Sequence, residues 1–398
     1  MAALHQKAVT QYLGRYAEGE VRLLDKLRFS RPFSYALCIP AYKESSEFLQ
    51  LLADHPQSEH VLLILVVNRP REKSLQDDNS ELLNWISSHC ETISEHHHLT
   101  LLSYKSLSIL CINRNGKGQL IPHKQGVGLA RKIAADIALA LIENKQIDKP
   151  WIFTTDADAR LPNNYFDDAE NSFKATHAAA QCFGFVHGNG SPELNRASKI
   201  YERCMLYYRD SLSMAGSPYA FCTIGSCLAI DAIHYAKVRG FPKLSAGEDF
   251  YLLNKIAKTG DVINTPSVSI HLTARASDRV PFGTGPAVQQ LTDQLKNNEI
   301  PLYYSPRIFG ELKVVLSSIE RLWLAEVPLD ELSQEQAQCM SEAGLAVFID
   351  KRKSQDKNFS AFEKSFHAWF DAFQTLKFVH RMQKYFYPAV PIDQIFEH

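Results

Sequence analysis

Short apolar runs alternate with amphipathic ones along the first two-thirds of the chain. Tyr35 to Ile39, Val61 to Val67, Leu107 to Ile112, Trp151 to Thr155 and Ala178 to Phe185 are unbroken and rich in β-branched and aromatic residues. That is the pattern of strands covered on both faces. Between them, Glu44 to Leu52, Ser80 to Cys90 and Val127 to Glu143 repeat apolar residues at three and four, which is helical spacing, and the last opens just after Gly126. The alternation predicts an open, largely parallel α/β sheet that places ligands at the carboxyl ends of its strands. Farther on, Asn195 to Met214 reads as a helix, Phe221 to Ile230 as a strand, and Asp249 to Lys258 as a helix ended by Gly260. The sheet region closes near residue 275.

Flanking segments complete the plan. Residues 1–32 set Leu4, Tyr12, Leu13, Tyr16, Leu23, Leu24 and Leu27 among charges, the pattern of a helical lead-in. After the loop Pro281 to Pro286, residues 287–398 are helix-like, with aromatic clusters at Phe362 to Phe373 and Tyr385 to Tyr387. The domain plan is therefore 1–32, 33–286 and 287–398. The histidine triplet His96 to His98 predicts a solvated loop, because adjacent side chains do not converge on one ion.

Composition narrows the class. With 45% hydrophobic and 22% charged residues over 398 positions, the chain is an ordinary globular protein rather than a disordered, collagen-like or coiled-coil one. Its 43 basic and 44 acidic residues give a net charge of -1, which supplies no bulk electrostatic reason to expect nucleic acid as a partner and leaves only a local basic patch open. The eight cysteines include no Cys-x-x-Cys pair and several sit in apolar runs, which predicts reduced, buried thiols and a cytoplasmic location. The longest apolar run, Val61 to Val67, is far short of the roughly 20 residues needed to cross a bilayer, so no transmembrane segment is expected. The N-terminus also lacks the apolar block of a signal peptide. Loose attachment to the inner face of a membrane is compatible with all of this.

Three places carry candidate chemistry. The run Trp151 to Thr155 feeds directly into Asp156-Ala157-Asp158. A chain of this size contains about one Asp-x-Asp by chance, so the information lies in the context. At the end of a buried strand, two carboxylates offer hard oxygen ligands in the crevice where α/β sheets bind ligands, a seat for Mg²⁺ or Mn²⁺ carrying a diphosphate. The structural alternative is a turn in which Asp caps the next segment. A second pair, Glu248-Asp249, opens a helix after Gly247, where acids also simply complement the helix dipole. The third, Ile39-Pro40-Ala41-Tyr42-Lys43-Glu44, is by itself an ordinary strand-to-helix turn.

In this order and spacing the motifs resemble the inverting family 2 glycosyltransferases of the GT-A fold. The family opens with a strand ending in Pro-x-Tyr-x-Glu, here Pro40 to Glu44. It follows with a helix bearing Gly-x-x-x-Ala-Arg, here Gly126 to Arg131, then the Asp-x-Asp strand, and roughly ninety residues later the Glu-Asp pair. The likeness covers about residues 33–285. It implies a GT-A-type, Rossmann-like mixed and mainly parallel sheet flanked by helices, with a helical C-terminal extension.

The resemblance also implies roles. Pro40, Ala41, Tyr42 and Glu44 border the nucleoside, and Asn68 stands beside the base where many relatives carry an acid. Asp156 faces the ribose and sugar, Asp158 holds the metal, and His271 resembles the histidine that some GT-A enzymes use as a further ligand. Asp249 is the general base, with Glu248 supporting it or touching the acceptor. Arg279 and Arg275 lie in a glycine-bearing loop suited to folding over a diphosphate, with Lys124 and Arg131 as competing phosphate donors. Gly225 and Ser226 line the acceptor side. The implied activity is metal-dependent transfer, with inversion, of a sugar from a nucleotide-sugar donor, a UDP-sugar by likeness, to the hydroxyl of a saccharide or other acceptor.

Two other readings compete. A nucleotidyltransferase on a related fold uses strand-end acids too, but normally opens with a glycine-rich phosphate loop that Pro40-Ala41-Tyr42-Lys43-Glu44 does not provide. A scaffold of the same fold that has lost activity and only binds would have little reason to keep Asp158, Glu248 and Asp249 together.

Overall fold

The computed structural model of the chain describes residues 2–71, 79–274 and 283–396. It divides into two compact units, Met1–Ser198 with Thr223–Ala287, and Lys199–Cys222 with Val288–His398.

In the first unit, helix α1 (Ala2–Arg15) and a 3₁₀ segment (Gly19–Lys26) precede strand β1 (Tyr35–Ala41). There follow α2 (Glu47–Ala53), β2 (Val61–Asn68), α3 (Ser80–His89), β3 (Glu91–His96), β4 (Leu99–Tyr104) and β5 (Leu107–Arg114). Next come α4 (Gly126–Glu143), β6 (Trp151–Thr154), β7 (Ala159–Arg160), α5 (Tyr165–Thr176) and β8 (Ala180–Gly188). After α6 (Pro192–Met214), whose residues from Lys199 onward belong to the second unit, the first unit ends with β9 (Leu228–Asp231), α7 (Ala232–Lys237), α8 (Glu248–Ile256) and β10 (Val262–Thr273).

The ten strands form one sheet in the order β3-β4-β5-β2-β1-β6-β9-β8-β10-β7. Seven run one way, with β4, β7 and β9 reversed. The sheet is thus mixed and mainly parallel, as the alternation predicts. Every residue of β1 and β2 is buried, because helices cover both faces there. Strand alternation splits the side chains of β6 between those faces. Phe153 packs on Tyr165 and Phe166 of α5, while Thr154 turns toward α4 and bonds Arg131.

Helix α4 is buried from Gly128 to Leu141 and packs on β1, β2 and β6. Its Asp136, wholly buried, accepts hydrogen bonds from Tyr12 Oη at 2.5 Å, Tyr235 Oη at 2.7 Å, Lys132 Nζ at 3.0 Å and the Glu18 backbone N–H at 2.8 Å. The charge is paired and each lone-pair direction is used, which is what makes its burial tolerable. The N-terminal helix is held to the sheet domain by this network.

The second unit is helical, with one short two-stranded ladder among its described residues. It contains α9 (Thr284–Lys296), β11 (Leu302–Tyr303), α10 (Pro306–Ser317), α11 (Ile319–Leu324), α12 (Gln334–Ala343) and α13 (Leu345–Lys353). Helices α14 (Phe359–Trp369) and α15 (Ala372–Tyr385), strand β12 (Val390–Pro391) and α16 (Asp393–Phe396) complete it. Phe362, Phe366 and Phe370 of the first aromatic cluster are fully buried with Phe378, Leu312, Leu322 and Met340, whereas Phe373 and Tyr385 are exposed.

Three expectations differ in detail. Residues 221–227 are not strand, and only Leu228–Asp231 joins the sheet. The reason is local: the Gly225 carbonyl accepts from Arg131 Nη1 at 3.0 Å and from Thr154 Oγ1 instead of entering a ladder. The sequence predicts no strand over Glu91–His96, which is largely exposed and offers no apolar run, yet it pairs with β4. Of the histidine triplet, His96 ends β3 and His97, at φ 57°, makes the hairpin turn.

Candidate functional site

Three of the predicted site residues meet on one buried arginine at the carboxyl end of β6. Arg131, projecting from α4 with 5% of its side chain exposed, donates from Nη2 to Asp156 Oδ1 at 2.6 Å and from Nε to Glu248 Oε1 at 2.9 Å. Nη1 reaches the Gly225 carbonyl and, at 3.3 Å, Thr154 Oγ1. The structure therefore places Arg131 under the carboxylates and away from solvent. Its fixed fork makes this possible, since one planar cation addresses several oxygens at set angles. Gly225 is small for the same reason: a Cβ there would lie 2.7 Å from Arg131 Nη2.

Glu248 is 4% exposed and committed to Arg131. Asp249 follows it in the first turn of α8, half-buried, and its Oδ1 accepts from the Phe250 N–H at 2.7 Å. Burial, and then the neighbouring Glu248 carboxylate, push the Asp249 carboxyl up to about 7, while Arg131 and the Phe250 and Gly225 N–H groups oppose the rise. A carboxylate that titrates near neutrality is suited to take and release a proton.

The loop that carries these acids is seated by two glycines at the start of α4. Gly126, at φ 38°, has Ser245 Cα 2.7 Å from where a Cβ would stand, and at Gly128 the carbonyl oxygens of Pro242 and Leu244 would both lie at 2.5 Å. The Gly128 N–H, one of the helix's otherwise unpaired first donors, bonds the Leu244 carbonyl at 2.9 Å. Gly126, which opens the Gly-x-x-x-Ala-Arg stretch, and Gly128 within it thus have a packing cause: backbone approaches backbone where the chain leads to Glu248.

Asp158 lies two residues beyond Asp156, half-buried, with its carbonyl accepting from Thr273 Oγ1 at 3.0 Å. The following residues form β7, antiparallel to β10, so that His271 stands opposite Arg160 and Leu272 opposite Ala159. His271 is exposed. This antiparallel pairing thus sets the chain just after Asp158 alongside His271. Among the described residues, no three His, Cys, Asp or Glu side chains come together as a ready-made cation cage. A Mg²⁺-like ion commonly takes only one or two carboxylates and completes its shell with water and substrate phosphate oxygens, and Asp158 is the half-buried carboxylate on this edge.

At the carboxyl end of β1, Pro40 and Ala41 close the strand and are buried, and Tyr42 and Glu44 are half-buried in the loop that follows. Asn68 ends β2 and is 6% exposed. Lys124 is exposed ahead of α4, and Ser226 is buried behind Gly225. Arg279 and Arg275 lie outside the described residues. Sequence reasoning passed over Asn79, Thr154 and the carbonyl of Gly225. Only Asn79 left a trace, as an Asn in the capping position of α3, and that trace points to a different role from the one it has.

No family model matches the sequence, and no curated protein matches it. Among solved structures, residues 1-349 of S. aureus TarS in complex with UDP-GlcNAc align over 85% of this chain and 91% of that one, with 12% identity and a TM-score of 0.40. The same fragment with UDP gives a TM-score of 0.37 at equal coverage and identity. A longer TarS structure is covered over 55% of its length, with 88% of this chain, 12% identity and a TM-score of 0.39. Likeness at this level assigns neither family nor activity, and the functional reading rests on the site.

Proposed function

We propose that the chain is a glycosyltransferase that moves a sugar from a nucleoside-diphosphate donor to an acceptor hydroxyl by a single, inverting displacement. The observation that supports it is the sharing of one buried arginine between a donor-side acid and the support of a base. Arg131 ties Asp156, at the end of β6, to Glu248, and the next residue is a carboxyl raised into the neutral range.

Asp249 takes the proton of the attacking hydroxyl. Its raised affinity for protons makes it a stronger base than an ordinary carboxylate, and partial burial keeps water from competing. Glu248 acts through position: bonded to Arg131, it fixes the start of α8 and adds the negative charge that lifts Asp249. Asp156, pinned on one oxygen by Arg131, presents a fixed acceptor to sugar or ribose hydroxyls. Asp158, with His271 as its companion, would hold Mg²⁺ or Mn²⁺, which supplies Lewis-acid stabilisation of the departing diphosphate. One base on the face opposite the leaving group gives inversion, and retention of configuration in the product would refute the Asp249 assignment. No observation favours the nucleotidyltransferase.

The donor is a nucleotide-sugar, and a UDP-sugar is the first candidate from the sequence resemblance. Thermal melting against UDP, GDP, CMP and ADP, each with and without Mn²⁺, tests this, because a ligand that binds only the folded state raises the Tm. One nucleoside diphosphate is expected to stabilise the protein more with metal than without, and Asp158→Ala is expected to erase the difference. Absence of any shift would reject the donor reading in favour of an inactive scaffold.

A further inference from the structure

We propose that Asn79 is a positioning residue that sets the affinity for the donor nucleotide by bracing the loop after β1. The inference rests on the donor reading above. Asn79 immediately precedes α3, where an Asn ordinarily caps the helix with its own side chain. Here it makes no such cap bond. The side chain instead accepts from the Lys43 N–H through Oδ1 at 3.0 Å, and donates from Nδ2 to the Asn68 carbonyl at 2.9 Å and to Asn115 Oδ1 at 3.1 Å. Asn115 is tied in turn through its N–H to Asn113 Oδ1 at 3.0 Å.

One wholly buried amide therefore links the chain just beyond β1 to the ends of β2 and β5. The linked residue is a strained one: Lys43 has a φ of 57°, left-handed for a residue with a Cβ. Such a conformation persists only where the surroundings impose it. Lys43 lies between Tyr42 and Glu44, the residues assigned to the nucleoside, so the bond that imposes its conformation also fixes where those two side chains start. An amide suits the place because the site needs an acceptor for one N–H and donors for two oxygens, which neither Asp nor Ala offers. A residue that had only to cap α3 would turn to the helix, and this one does not.

The test is calorimetric titration, well below each variant's melting temperature, with the nucleotide from the UDP, GDP, CMP and ADP panel that binds the wild type with Mn²⁺. Asn79→Ala is expected to weaken binding roughly tenfold or more, the scale of a lost buried hydrogen bond. Where sugar transfer is followed, donor KM is expected to rise with kcat little changed. Lys43→Pro removes the same N–H and excludes the left-handed conformation while leaving the bonds of Asn79 to Asn68 and Asn115 intact, and it is expected to weaken binding similarly. The double variant is expected to bind better than the sum of the two single losses predicts, because both changes break the Lys43–Asn79 bond.

Affinity within about twofold of wild type in Lys43→Pro, or strictly additive losses in the double variant, overturns the inference. Lys43→Pro alone suffices for this if Asn79→Ala does not fold. A wild-type protein that binds no nucleotide overturns the donor reading and this inference with it, whereas a binding wild type with unaffected variants overturns this inference alone.

Discussion

Replacing Arg131 by Met tests the centre of the site. The guanidinium is 5% exposed, as is the Glu248 side chain it pairs with, whereas Asp156 keeps 37% of its side chain in solvent. Removing the cation leaves Glu248 charged and unpaired in the interior, and breaking a buried pair from one side costs about 3–5 kcal/mol. Asp156 adds little to this, since water already solvates it. At about 2–4 °C per kcal/mol, the Tm of Arg131→Met is expected to fall by roughly 10 °C. The charge, not the lost packing, is the reason assigned, and a second substitution separates the two. Glu248→Gln in the Arg131→Met background removes the stranded charge and is expected to recover several degrees, although it takes away still another polar contact. Differential scanning of wild type, both single variants and the double variant reads this directly. A double variant no more stable than Arg131→Met would refute the argument that Arg131 neutralises Glu248.

Other consequences concern the base and the loop that carries it. Asp249→Asn is expected to abolish transfer while leaving nucleotide affinity nearly unchanged, and a variant that retains turnover would move the base elsewhere. The same substitution has a pH signature. Because the folded state holds the Asp249 proton up to about pH 7 and the unfolded chain releases it near the ordinary carboxylate value, stability contributed by this group falls as pH rises through that window. Asp249→Asn lacks that loss, so it is expected to gain Tm relative to wild type at pH 8 and to show a smaller gain at pH 5. Equal differences at both pH values would contradict the raised proton affinity. Gly128→Ala puts a methyl where the Pro242 and Leu244 carbonyls stand. It is expected to cost about 1–3 kcal/mol by overpacking, and to depress kcat by moving the chain that ends in Glu248 and Asp249. Wild-type stability and activity together would show that the loop yields freely.

The alternation of strand and helix was legible because β1, β2, β5, β6 and β8 are covered on both faces and so read as apolar runs. The exposed β3 carries no such run, and the chain from residue 221 was misread because its apolar composition suits a strand while its backbone serves the site. Asp156, Asp158, Glu248 and Asp249 stood out as acids at strand and helix ends. Arg131 was visible too, but not its direction: a residue on α4 shows its helical phase in the sequence, not which charges lie across the space it enters.

The sequence by itself therefore determined which segments are buried and which acids lie at the edges of those segments, since burial pattern and element ends are local properties of composition and spacing. Only the tertiary structure decided that residues 156, 225 and 248 share the Arg131 guanidinium, that two glycines admit the acid loop, and that the Asn79 side chain turns to Lys43. These are contacts between residues far apart in the chain, whose energies arise from desolvated charge and close backbone approach. No local pattern encodes either until the fold has brought the partners together.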